Sequence, residues 1–506
     1  MILSAYTLKN IDHPSVTVPE DSVFQLPEKV LQFGTGVLLR GLPDYFIDKA
    51  NRQGIFNGRI VVIKSTSQGG TSDFEKQDGL FTVHVRGIED GRKIEENLIN
   101  SSISRVLNAN DQWRQVLECA HDLNMCVIIS NTTEVGIQLV KEDIRNSPPK
   151  SFPGKLLAFL YERFNAFGGS EQSGMVIIPT ELIPDNGKKL ESIVLELAYL
   201  NGLEDQFIEW LEKSNHFCNS LVDRIVPGRP SAEQQTAIEK ELGYSDNLSI
   251  ISEVYRLWAI EGNETVREKL SFAQADAGVV IDENIDLYRE LKLRLLNGTH
   301  TLSCGLAFFS GCKTVKEAMD DNHVSSFISA LMKNEIAPAI PLELDRDIAL
   351  QFSDKVLDRF RNPHIQHQWI NITMQYSSKM KMRCIPVLLK HYEKNQTAPE
   401  FFSLGFAAFL FFMRAISRKG NQYYGEFNGE SYLIQDESAE LFYKRWTALS
   451  VSEFVKQTLA DQNLWGSNVL TLPGFEEAVF EKLNLIINHG MKEALEITRT
   501  NRIAAA

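Results

Sequence analysis

Along the first half of the chain, short aliphatic and β-branched runs alternate with longer stretches of helical periodicity. Val30-Leu-Gln-Phe33, Arg59-Ile-Val-Val-Ile-Lys64, Leu80 to Val85, Met125 to Ser130 and Met175 to Pro179 read as strands. Between them, Val37 to Ala50 (broken at Pro43), Asp111 to His121 and Pro153 to Phe167 place apolar residues at helical spacing. That rhythm predicts a doubly wound α/β sheet. A last extended piece, Ala277 to Asp282, precedes a change of pattern. From about residue 285 amphipathic helices follow one another with almost no strand signal. Phe401 to Met413 is continuously apolar but too short to span a bilayer, so it reads as a buried helix. The expected architecture is α/β plus all-α: an irregular arm over 1–26, a sheet domain over 27–284 and a mainly helical domain over 285–506.

Length and composition fit this division. A chain of 506 residues exceeds one ordinary hydrophobic core, and 43% hydrophobic with 23% charged residues is globular usage. The net charge of −14 argues against nucleic acid or an anionic membrane as partner, yet leaves room for a local basic pocket and an acidic small molecule. Six cysteines without a C-x-x-C or a His/Cys cluster suit a reducing compartment and suggest no metal site. The N-terminus lacks a basic stretch followed by an apolar core, so the cytoplasm is the expected location.

The candidate chemistry sits at three places. After the first strand, Phe33-Gly-Thr-Gly36 opens a helix, a turn that can aim backbone N–H groups at a pyrophosphate. Leu39 stands where a third fingerprint glycine is usual, and Lys64 where the second strand usually ends in an acid. Asn131-Thr-Thr-Glu134 and Thr180-Glu181 are polar clusters at later strand ends; each could equally cap a helix. The second place is Lys292-Leu-Arg-Leu-Leu-Asn-Gly-Thr-His300. On a regular helix Asn297 lies roughly 140° and His300 roughly 80° around the axis from Lys292, so one side carries an amine, a carboxamide and an imidazole. Gly298, inside that helix, costs stability unless a neighbour approaches the backbone closely. Third, Arg359, His364, His367, Lys379, Lys381 and Arg383 concentrate cations in an acidic chain. They are either a solvated helix face or a receptor for a carboxylate.

These segments together resemble the mannitol dehydrogenase family of long-chain, metal-independent polyol dehydrogenases. The carriers are Q-F-G-x-G-x-x-x-R at Gln32 to Arg40, V-D-R-I at Val222 to Ile225, K-x4-N-x2-H at Lys292 to His300, and R-F-x-N-P at Arg359 to Pro363. Ser130 to Glu134, Ile177 to Ile183, Phe217 to Ile225 and Tyr424 to Tyr432 bring it nearest to the tagaturonate-reducing members; fructuronate- and mannitol-specific members are the alternatives. The resemblance implies a Rossmann-like first domain, a helical second domain and a cleft between them. It also implies NAD as cofactor, with hydride passing from NADH to the ketone of a hexuronate. Lys292 would supply the proton, and Asn297, helped by His300, would stabilise the oxyanion, since Glu181-Leu182 replaces the Asp-Asn of the mannitol enzymes. It assigns the nucleotide to Val30, Leu31, Gln32, Phe33, Gly34, Thr35, Gly36, Val37, Leu38, Leu39, Arg40, Gly41, Lys64, Asn131 and Thr132. Glu181, Asp223, Arg359, His367, Lys379 and Arg383 would face the substrate, and no metal is involved. A nucleotide sensor without turnover would keep the glycine turn but has no use for Lys, Asn and His together.

Overall fold

The computed structural model describes residues 1–65, 70–132 and 135–505, and the chain divides into two units. One comprises Met1–Gly87 and Lys93–Ile285, the other Ile88–Arg92 and Asp286–Ala506. Among the described residues no helix is long and apolar enough to cross a membrane.

Six parallel strands organise the first unit: β1 (Glu28–Phe33), β2 (Arg59–Lys64), β3 (Ile103–Asn108), β4 (Val127–Ser130), β5 (Val176–Pro179) and β6 (His216–Phe217). Their order is β3-β2-β1-β4-β5-β6. The two-residue period of a strand sorts its side chains into two cores. Leu31, Phe33, Val61, Ile63, Ile128 and Ile177 enter one, which the helices Ala109–Glu118, Phe152–Phe167, Asn186–Leu200 and Asp205–Ser214 cover. Val30, Ile60, Val62, Val127, Ile129 and Ile178 enter the other, beneath Val37–Gly41 and Pro43–Arg52. The break at Pro43 is real, and the proline occupies the first turn of the second helix, where its missing N–H costs nothing.

Arg163 pins this sheet from below. Its buried guanidinium donates to the carbonyls of Ser173 (2.6 Å), Ala120 (3.1 Å), Asp122 (2.9 Å) and Met125 (2.7 Å), and burial brings its pKa down to about 10. Arg163→Met fills the volume but strands those carbonyls. It is expected to lower stability by about 3–5 kcal/mol, read as a shift in the urea midpoint. A shift worth under about 1 kcal/mol contradicts this role.

The strand expected over Leu80 to Val85 runs Phe81–Glu89 and lies outside the parallel sheet, in a four-stranded sheet with Val16–Thr17, Arg92–Asn100 and Ile250–Glu253. The reason is local. Asp90 (φ 52°) and Gly91 (φ 72°) form a two-residue turn that pairs Phe81–Glu89 with the strand right after it. The second unit also holds an unexpected antiparallel sheet of Ser417–Lys419, Gln422–Phe427 and Glu430–Ile434, turned at Asn428 and Gly429. In the irregular arm, Leu3 and Leu8 are buried against Leu80, Ile99, Leu242 and Tyr244.

The second unit is otherwise helical. Glu400–Phe412 is buried and crosses Thr299–Phe309 so closely that a Cβ on Gly405 would stand 2.6 Å from the Leu302 carbonyl. Its N-terminus is capped from another element, the Glu335 carboxylate accepting from the Phe401 (3.0 Å) and Phe402 (2.7 Å) amides. Among the described residues three stretches are π-helical: Lys292–Gly298, Leu331–Ile336 and Met380–Cys384.

Candidate active site

The order of the six strands reverses between β1 and β4, and ligands of doubly wound sheets bind at that point, beyond the carboxyl ends of the strands. The glycine turn lies there. Gly34 has φ 129°, its amide donates to the Ile63 carbonyl (3.0 Å), and a Cβ would meet the Asn131 carbonyl at 3.0 Å. Only glycine fits. Gly36 precedes helix Val37–Gly41 and has open space where its Cβ would stand, which leaves its backbone approachable by a ligand.

The residues expected at the nucleotide separate into two groups. Gly34, Thr35, Gly36, Val37, Leu38, Asn131 and Thr132 keep some exposure at the turn. Val30, Leu31, Phe33 and Leu39 are core, and Gly41 packs against Val226. The Arg40 guanidinium lies over the Phe74 and Phe81 rings and donates to the Leu248 carbonyl, so it supports the turn from behind. Lys64 is 4% exposed at the end of β2. The neighbouring Thr66 and Ser67, with Thr133 and Glu134 of the other polar cluster, lie outside the described residues.

Glu181 is committed elsewhere than expected. Its carboxylate accepts from the Thr132 amide (2.8 Å), Thr132 Oγ1 (3.0 Å) and Ser130 Oγ (3.2 Å), tying the ends of β4 and β5 together. Burial raises its pKa against the pull of those bonds. Asn131 Nδ2 reaches the Thr180 hydroxyl at 2.9 Å in the same knot. Asp223 is buried in strand Ser220–Asp223, and the next residue, Arg224, donates to the Gly41 carbonyl (2.5 Å) while stacking on Tyr45.

Asp44, which the sequence did not single out, lies fully buried beneath the turn, 3.4 Å from Gln32 Nε2. Burial pushes its pKa up to about 8, against the opposing pull of Gln32 and Arg40. The folded value thus exceeds the unfolded one of 3.8, so the fold favours the protonated acid. That contribution is whole below the unfolded value and is lost as pH rises through about 8. Asp44→Asn, neutral at every pH, should therefore gain in melting temperature relative to the wild type as pH rises from about 4 to about 8. Parallel pH profiles for the two proteins would disprove a neutral Asp44.

In the second unit the lysine segment is not a regular helix. Lys292–Gly298 is a π-turn with i→i+5 bonding, so the angles of a 3.6-residue turn do not apply across it. Lys292 and Asn297 stay partly exposed, whereas His300 is buried. The His300 ring stacks on Phe360 (centroids 4.3 Å, 14° between planes) and meets His367 and Trp369 edge-on at 5.1 and 5.8 Å. Its Nε2 has no hydrogen-bond partner among the described residues. Gly298 owes nothing to crowding, since a Cβ would sit 3.6 Å from the Arg383 carbonyl.

The basic segment folds around this ring. Burial, then the charges of His367, Arg359, Arg383 and Lys379, holds His300 well below its ordinary pKa, so it is neutral at neutral pH. Burial also lowers His367, Lys379 and Arg383, with Arg359 and Lys379 adding to the effect on His367, and Arg383 to that on Lys379. Lys379 Nζ donates to the Ile372 carbonyl (2.9 Å) and Arg383 Nη1 to Thr301 Oγ1 (3.2 Å). The four-residue spacing from Lys379 to Arg383 runs through the π-turn Met380–Cys384, not along one regular face. Lys381 lies outside the cluster, exposed and bound to the Asn463 carbonyl. Half-buried Lys379 and Arg383 beside a neutral imidazole can offer charge-assisted hydrogen bonds to an anionic group.

The strand order and the glycine turn at its reversal define the first unit as a Rossmann fold, carried on one chain with a helical, lysine-bearing unit. Residues 28–274 match the mannitol dehydrogenase Rossmann domain and residues 284–487 the mannitol dehydrogenase C-terminal domain: the chain belongs to the mannitol dehydrogenase family. Among curated relatives, altronate oxidoreductase of Halalkalibacterium halodurans is 38% identical over 480 residues, 93% of either chain. The enzyme of the same name from Bacillus subtilis is 38% identical over 94% of this chain and 96% of its own. That from Escherichia coli is 35% identical over 93% and 97%. Of solved structures, Pseudomonas fluorescens mannitol 2-dehydrogenase in ternary complex with NAD and D-mannitol aligns with a TM-score of 0.67 at 22% identity, covering 99% of this chain and 100% of that one. A substrate-free D-sorbitol dehydrogenase aligns with 0.75 at 19% identity over 98% and 100%. At such identities these two speak for the fold alone.

Proposed function

We propose that the protein is an NADH-dependent hexuronate reductase that interconverts tagaturonate and altronate, with nucleotide binding in 27–284 and proton transfer in 285–506. The observation that carries the reading is the basic cluster around His300, on elements that pack against the π-turn bearing Lys292 and Asn297. A polyol such as mannitol gives these cations nothing to neutralise; a uronate carboxylate does. Relatives named altronate oxidoreductase support the same substrate class.

The glycine turn fits a dinucleotide, because Gly34 admits no Cβ and Gly36 leaves its backbone open at the switch point. NADH, when bound, supplies the hydride for the ketone carbon. Lys292 delivers the proton to the ketone oxygen and retrieves it in the oxidative direction. The Asn297 carboxamide donates to that oxygen as its negative charge grows. Neutral His300 offers its unpartnered Nε2 to a substrate hydroxyl, and Arg383 or Lys379, with Arg359 and His367 beside them, receives the carboxylate. No step calls for a metal.

Purified protein given NAD and D-altronate should form NADH in the presence of a chelator. No NADH from altronate, with NADH formed from mannitol, would refute the substrate assignment. For the nucleotide, NADH should have the higher kcat/KM, with less discrimination against NADPH than an acid at position 64 would give. A preference for NADPH would overturn that choice.

A further inference from the structure

The segment bearing Lys292 and Asn297 and the segment bearing Arg383 are both π-turns, and they pack against each other. The second has a cause in the sequence. Pro386 stands four residues after Met382 and has no N–H, so the Met382 carbonyl lacks its helical donor. Arg294, in the first turn, takes that place: its Nη1 donates to the Met382 carbonyl (2.5 Å) and the Arg383 carbonyl (3.1 Å). Glu290 grips the same guanidinium, Oε2 to Nε at 2.8 Å and Oε1 to Nη2 at 3.2 Å. Further ties link the same two segments. Arg383 Nη1 reaches Thr301 Oγ1, which donates to the Asn297 carbonyl (2.7 Å), and Cys384 Sγ faces the Gly298 carbonyl at 3.8 Å.

We propose that Arg294 is a positioning residue that locks the two π-turns in one register. The group that protonates the ketone and the group that grips the carboxylate are thereby held at a fixed separation along the substrate. This inference rests on the functional reading above. A helix deprived of a hydrogen bond by proline can hinge at the gap, and the staple closes that hinge. Arginine suits the position because its planar fork satisfies a carboxylate on one edge and carbonyls on the other, which a lysine ammonium cannot do. Without it, a uronate still binds by its charge, but its ketone no longer meets Lys292 and Asn297 in line.

Arg294→Met keeps the aliphatic stem and removes the staple. With each enzyme counted by its NADH-binding sites, kcat on tagaturonate should fall by about 100-fold. KM for tagaturonate and Kd for NADH should stay within about threefold of wild type. Amide hydrogen exchange should quicken in residues 292–298 and 380–384 together. Glu290→Gln, which leaves the guanidinium in place, should cost about tenfold in kcat. A folded Arg294→Met with kcat within about threefold of wild type, or with exchange altered in one turn only, overturns the proposal. If Arg294→Met does not fold, Glu290→Gln decides, and unchanged kcat and exchange there overturn it. A wild type inert on every hexuronate would sink the functional reading alone, because the exchange measurement still tests the staple.

Discussion

Lys292→Ala is expected to lower turnover of tagaturonate by about 1,000-fold or more, with the dissociation constant for NADH unchanged. A side chain that only passes a proton contributes to the transition state and little to the ground state, so the loss falls on kcat. The placement supports the assignment: Lys292 opens a π-turn and stays partly exposed, with Asn297 five residues on. Such turns interrupt regular helices and are frequent at functional sites. A small primary amine in solution should restore part of the lost rate, because the cavity left by the side chain admits a surrogate donor. A variant that keeps more than about a tenth of wild-type turnover would remove Lys292 from the mechanism.

The second large effect concerns the carboxylate. Arg383→Met should cost about 2–4 kcal/mol in kcat/KM on tagaturonate, and Lys379→Met a smaller share of the same kind. The order reflects the hydrogen bonds each side chain makes within the fold. Lys379 Nζ is held by the Ile372 carbonyl, while Arg383 has one edge on Thr301 and keeps further donors of its fork for a bidentate contact. A neutral ketose should feel neither change, so the ratio of the two substrates isolates charge recognition from folding. Equal losses on both substrates would give these cations a structural role instead.

Much of this was legible from the chain. The apolar runs announced a parallel sheet because its strands are buried on both faces. That His367, Lys379 and Arg383 gather near His300 while Lys381 does not was beyond the reach of their spacing in the chain. Other features were written in the sequence but outvoted. Asp90-Gly91 and Asn428-Gly429 are hairpin signals, and each sets a sheet that the helical or parallel pattern around it concealed. The π-turns escaped because apolar spacing reports an average helix, not a local change of period. Pro386, four residues beyond Met382, was the mark of one of them. Arg40 and Glu181 illustrate the opposite limit: both stand in the expected motifs, and in both the side chain is absorbed in hydrogen bonds to backbone within the fold, at Leu248 and Thr132. Asp44 gave no signal, because an acid in a helical run is surface until the fold encloses it.

One comparison bears most directly on hexuronate reduction. Initial rates of NADH oxidation should be measured for the purified protein with tagaturonate, fructuronate and fructose, chelator present throughout. The highest kcat/KM is expected for tagaturonate, a lower value for its epimer, and a value for fructose at least about 100-fold below that for tagaturonate, the discrimination that follows when a buried charge receptor is left unpaired. A rate with fructose equal to or above that with tagaturonate would contradict it.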